Sequence, residues 1–105
     1  MWSVDIRYIQ NNSQAVTESG GVYKVLRDDG VSGKYSRVYV GKAENLRKRY
    51  LEHLSQNEPN RCLLSNLQSR ICYFRYTIIT NEAGRQSLES QMLSEGKYEC
   101  NTQGQ

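Results

Sequence analysis

Five side chains in this 105-residue chain have the functional groups to cut a phosphodiester bond: Tyr23, Tyr39, Arg49, His53 and Glu89. The tyrosines stand close to glycines, in Gly21-Val22-Tyr23 and Tyr39-Val40-Gly41, and Arg49 precedes the only histidine by four residues. Such a bond breaks when a water is activated, charge on the phosphoryl oxygens is stabilised and the leaving alkoxide is assisted. Phenol, guanidinium, imidazole and carboxylate together can meet those needs, provided the fold brings them to one place.

The length and the charge set the frame. One domain with one core fits 105 residues, with no linker expected. Fourteen Lys and Arg against eleven Asp and Glu make the chain mildly basic, which permits a polyanionic partner without requiring one. Lys42, Arg47, Lys48 and Arg49 fall within eight residues and read either as a solvated helix face or as a phosphate-binding one. No apolar run reaches the ~18 residues that span a bilayer, and there is no basic-then-apolar leader, so a cytoplasmic protein is expected. Cys62, Cys72 and Cys100 are odd in number and lack C-x-x-C spacing. They predict reduced thiols, neither a disulfide framework nor a zinc site.

The elements that must position the five side chains follow from periodicity. Trp2, Val4, Ile6 and Tyr8 alternate with polar residues and predict an opening strand, followed by a loop from Asn11 to Ser19. Val22 to Leu26 and Ser36 to Gly41, separated by a glycine-bearing loop, predict an antiparallel hairpin that carries both tyrosines on one face. Asn45 caps a helix in which Leu46, Tyr50 and Leu54 form the apolar stripe and Arg49 and His53 share one border. Arg61 to Ser69 reads as a short helix, and Cys72 to Thr80 as a central strand with apolar residues on both faces. Asn81 caps a last helix ending at Gly96. On its wheel Glu89 falls among Leu88, Met92 and Leu93, where a carboxylate needs a partner. That partner is either Arg85 one turn earlier or a hard divalent cation.

With Asn101 added, these residues resemble a GIY-YIG nuclease domain over Gly20 to Asn101, with valine in place of isoleucine in both tripeptides. Neither tripeptide alone would signify; their combination with the Arg49 and His53 spacing, Glu89 and Asn101 carries the resemblance. It implies an α+β fold, a small, mainly antiparallel three-stranded sheet flanked by helices, here with an extra strand within residues 1–19 and a tail at 102–105. It implies a metal-dependent endonuclease acting on DNA, with RNA not excluded, through Mg²⁺ or Mn²⁺ on Glu89.

Arg49 would hold the scissile phosphate, and Asn101 would help fix the site. Gly41, Lys42, Arg47 and Lys48 would lie against substrate. The general base is left open among Tyr23, Tyr39 and His53: only about one free phenol in a thousand is ionised at neutral pH, whereas imidazole titrates near neutrality. A homodimer or targeting partner would supply specificity. The competing reading is a module that binds nucleic acid or protein on the same scaffold without cutting.

Overall fold

The structure is a computed structural model and describes residues 1–101. Four strands form one antiparallel sheet: β1 (Ile6–Arg7), β2 (Gly21–Asp28), β3 (Tyr35–Ala43) and β4 (Cys72–Ile78), in the order β1-β4-β2-β3. Three helices flank it, α1 (Leu46–His53), α2 (Arg61–Ser69) and α3 (Glu82–Glu95), with short 3₁₀ turns at Gln10–Ala15 and Glu99–Asn101. Among the described residues no helix is long and apolar enough to cross a membrane. This is the expected α+β class, with β4 and β2 central.

Each helix begins on an asparagine whose side chain accepts a backbone N–H of the first turn: Asn45 from Lys48, Asn60 from Leu63 and Asn81 from Gly84. Side-chain alternation along the strands splits the core between two faces. Tyr23, Val25 and Phe74 pack with Leu46, Tyr50 and Leu63 on the side of α1 and α2, while Val22, Val40 and Tyr98 meet Leu88 and Met92 of α3 on the other. On the larger side Phe74 is the hub, stacked on Tyr23 at 5.2 Å and meeting Tyr8 and Tyr50 edge-on at 5.1 and 4.9 Å.

Three local expectations change. The opening strand shrinks to two residues: Ile6 and Tyr8 enter the Phe74 side, but Val4 is 78% exposed and Trp2 packs on the opposite cluster. Its chain still follows β4, with Ser3 N–H donating to Tyr76 O and Tyr8 N–H to Cys72 O, but the register shifts by one residue between Ser3 and Ile6 and breaks the ladder. The polar stretch after it holds the 3₁₀ turn, tied to α1 where Leu46 N–H donates to Ser19 O and Arg47 N–H to Thr17 O. Most consequential, Cys62 and Cys100 form a disulfide, with Cα atoms 5.4 Å apart across a sequence separation of 38. The expectation of three reduced thiols fails because spacing in sequence carries no information about two residues that the 3₁₀ turn Glu99–Asn101 and the start of α2 bring together.

Cys72 is the free cysteine, and burial pushes its thiol up to about 11. Titration with a thiol reagent is therefore expected to find almost no reactive thiol in the native protein, one after denaturation and three after reduction. Closing a loop of this size is worth about 4 kcal/mol in the chain-entropy account, so reduction should lower the denaturant midpoint clearly. Three thiols before reduction would contradict the bridge.

Candidate active site

The site begins with a hairpin irregularity. Val25 pairs with Tyr39 but Leu26 pairs with Arg37, so Val38 is an extra residue in β3. A bulge of this kind re-aims the side chain next to it. Here Val38 and Tyr39 both reach the α1 side. Tyr23 stands directly across from Gly41, and the two phenol rings come within 6.1 Å, centroid to centroid. A Cβ on Gly41 would lie 2.6 Å from Tyr23 Cζ and closer still to its hydroxyl. Gly41 thus leaves room for the Tyr23 phenol, a packing role in addition to the substrate contact that the sequence suggested.

Helix α1 lays His53 against this pair. The ring is fully buried, with centroids 5.6 Å from both tyrosines, and its Nε2 lies 2.6 Å from Tyr23 Oη. The other nitrogen, Nδ1, lies 2.8 Å from Glu58 Oε1. A carboxylate only accepts, so Nδ1 carries the proton, leaving Nε2 to accept from the Tyr23 hydroxyl. Burial and the Arg49 guanidinium hold His53 below its ordinary value, with Glu58 pulling the other way. Burial also raises both phenols, Tyr23 the more, while Arg49 pulls each back. Glu58 was missed in the sequence: it sits in a polar loop before Pro59 with no period to mark it.

The remaining candidates divide. Arg49 is half-exposed, with Nη1 3.1 Å from Glu52 Oε1, and its charge acts on Tyr23, Tyr39 and His53. Glu89 on α3 is half-buried; burial raises its pKa, Lys42 lowers it, and its charge is felt at Tyr39. Among the described residues it makes no hydrogen bond or ion pair. The Arg85 partner offered by the helical wheel is spent elsewhere, on Ile79 O and Glu82. Leu93 is 41% exposed, so Glu89 lies at the border of the apolar sector.

Asn101 clamps the open edge of β3: its Oδ1 accepts from Val40 N at 2.8 Å and its Nδ2 donates to Val40 O at 2.9 Å. It acts as one residue of a missing neighbouring strand, fixing the backbone between Tyr39 and Gly41. Lys42 points to the α3 side, bonded to Glu82 and Gln86 at 2.6 and 2.7 Å. Arg47 is turned to the preceding loop, donating from Nε to Val16 O at 2.9 Å. Exposed Lys48 lines, with Lys42, Arg49 and Arg85, an open cleft of about 540 Å³ between α1 and α3.

No group of three or more His, Cys, Asp or Glu gathers into a metal cage among the described residues. The donor set still suits a hard cation. Mg²⁺ is held through one or two carboxylates with water and substrate phosphate, and Glu89 offers a partly desolvated carboxylate without a partner.

Comparison with known proteins now decides the family: the model of the UvrC-like GIY-YIG domain matches residues 19–102. The chain belongs to the UvrC-like GIY-YIG family. It is 30% identical over 95 residues to UvrABC system protein C of Bacteroides thetaiotaomicron, covering 90% of this chain and 14% of that protein. To the same-named protein of Rickettsia rickettsii it is 33% identical over 76 residues, 72% of this chain and 11% of the relative. The chain thus spans about a seventh or less of these relatives.

This GIY-YIG domain also superposes on the N-terminal endonuclease domain of UvrC from Thermotoga maritima, solved as point mutants bound to the catalytic divalent cation. Two such structures give TM-scores of 0.65 and 0.64 at 18% identity, covering 86% of this chain and 90% of theirs. Identity that low carries the fold alone.

Two outcomes follow for the packing. Gly41→Ala should cost about 1–3 kcal/mol in urea unfolding, because the added methyl displaces the Tyr23 phenol; an unchanged midpoint would contradict the close approach. Because the folded value of His53 lies below its unfolded value of about 6.5, its contribution is fully present above that pH and is lost as pH falls through the folded value. Thermal midpoints should therefore drop as pH is lowered below about 6.5, and His53→Gln should flatten that segment of the profile.

Proposed function

We propose that this domain is a Mg²⁺-dependent endonuclease, also supported by Mn²⁺, that hydrolyses DNA phosphodiester bonds through one metal site. The observation that carries the reading is the buried Tyr23–His53 pair beside Tyr39, acted on by half-exposed Arg49, with the charge of Glu89, which has no partner among the described residues, also felt at Tyr39.

Arg49 holds the scissile phosphate. Its guanidinium is engaged by Glu52 and interacts with the Tyr23 hydroxyl, and a half-exposed fork of five N–H donors still has donors for phosphate oxygens. Lys48 and Lys42 line the adjoining cleft, where their charges favour the flanking backbone. Tyr39, half-buried where Tyr23 is fully buried, is the phenol nearer to the attacking water. Burial keeps both phenols protonated at neutral pH, so neither serves as a standing base. A tyrosine can take a proton from water only as it gives up its own, and His53 Nε2 is positioned to receive one from Tyr23. Asn101 keeps the Tyr39 backbone in register while this occurs. Glu89 would hold the divalent ion, which when bound supplies Lewis-acid stabilisation of the leaving oxygen.

Recognition beyond the scissile phosphate is assigned to a partner, a second copy or further domains, consistent with the small share of the relatives that this chain spans. The substrate is taken as DNA, and an RNA of the same sequence is the control.

Incubation with supercoiled plasmid should give nicking that requires Mg²⁺ and stops with chelator. Arg49→Ala and Glu89→Gln should each lower the rate by about 100-fold or more while retaining the native circular dichroism spectrum. Since burial disfavours the Glu89 carboxylate, Glu89→Gln should also melt no lower than wild type without metal. Salt-sensitive binding with no cleavage of any substrate would instead support a binding module.

A further inference from the structure

The Glu58 carboxylate is a buried anion with both oxygens committed. It is 4% exposed; Oε1 accepts the His53 Nδ1 proton at 2.8 Å and Oε2 accepts Asn60 N–H at 2.9 Å. Its own N–H donates to Ser55 O, and the Asn60 side chain in turn caps α2 and donates to Cys100 O. Burying a carboxylate is costly, and an apolar side chain would fill the space without that cost. The arrangement therefore holds the imbalance for a reason other than packing. A buried carboxylate on one imidazole nitrogen, with a hydroxyl on the other, is the pattern by which carboxylates orient and charge-stabilise a histidine base.

We propose that Glu58 is a positioning residue of the cleavage reaction: it fixes His53 with the proton on Nδ1 and the lone pair toward Tyr23, and stabilises the imidazolium formed as the nucleophile is deprotonated. This rests on the nuclease reading above. In the step, an O–H bond of water breaks as its oxygen bonds to phosphorus and the P–O bond to the leaving oxygen opens. The proton enters the tyrosine pair and an equivalent one leaves Tyr23 Oη for His53 Nε2. The leaving oxygen takes its proton from solvent, and His53 returns one to solvent before the next turnover.

The groups facing His53 are Tyr23 of β2, Tyr39 of β3, Arg49 and Glu52 of its own helix, and Glu58. Among them Glu58 is the carboxylate in contact with the ring, whereas Glu52 is exposed and paired with Arg49. Loss of Glu58 charge should therefore leave Arg49 opposing the imidazolium without a near counter-ion.

His53 is the only histidine, so its imidazole nitrogens give one readable set of NMR signals. At pH above its titration the wild-type ring should carry its proton on Nδ1; a proton on Nε2 would overturn the proposal with no variant needed. Glu58→Gln keeps the shape and removes the charge. It should lower the His53 pKa by about one unit and shift the acid limb of the plasmid-cleavage profile down with it. It should also reduce kcat about 10- to 100-fold with KM unchanged.

In a His53→Gln background the same change should have no further effect. A fall in kcat with an unmoved acid limb and an unmoved imidazole signal, or an equal fall in the His53→Gln background, would show that Glu58 only supports the fold. A wild type with the Nδ1–H ring that cuts no substrate would overturn the nuclease reading and the relay role with it, leaving the hydrogen bond.

Discussion

The 2.6 Å contact between Tyr23 Oη and His53 Nε2 is the constraint on which this domain depends. It joins the sheet to the first helix by a polar bond inside a mainly aromatic and aliphatic core, with Glu58 on the far side of the imidazole. A buried hydroxyl and a buried imidazole each need a partner, and here each is the other's. The bond is possible because Gly41 has no side chain, because the Val38 bulge swings β3 toward the helix and because Phe74, stacked on Tyr23, holds the ring in place. Tyr50 and Tyr8 brace Phe74 from behind, with Tyr50 Oη bonded to the backbone of the opening segment.

The opposite side of the sheet is built differently, and the difference bears on function. Helix α3 packs through a small cluster of Val22, Val40, Leu88 and Met92, and its first-turn Glu82 lines the cleft. Glu82 is neutralised by Lys42 and Arg85, but Glu89 is left without a partner. The domain therefore has a buried, hydrogen-bonded proton network on one side of β3 and, on the other, a half-buried carboxylate with no protein partner among the described residues. The first suits proton movement without solvent; the second suits an ion that arrives with substrate. An edge strand separates them, and the Asn101 amide closes that edge locally where an open ladder would otherwise bind another chain.

Charge near the site is divided in the same way. Of the four cations within eight residues, Arg47 is consumed by the fold; Lys42, Lys48 and Arg49 line the cleft, with Lys42 paired to Glu82 and Arg49 to Glu52. A basic run in sequence thus overstated the basic surface, because backbone carbonyls of the preceding loop and acidic residues of α3 compete for it.

The sequence by itself determined the α+β class, the asparagine caps of α1 and α3, the tyrosine hairpin and the pairing of Arg49 with His53 on one helix border. Each depends on contacts within a few residues or on a period that local geometry imposes. The GIY-YIG resemblance carried the chain's family through combination of short motifs. Tertiary structure decided what depends on residues distant in sequence. It turned the opening strand into two residues, joined Cys62 to Cys100, gave Arg85 to Glu82 instead of Glu89, and made Gly41 the space for a phenol. It also placed Glu58 behind His53. A carboxylate in a polar loop has no periodic signature, and only the burial created by the packing of α1, α2 and the sheet makes it a partner of the imidazole.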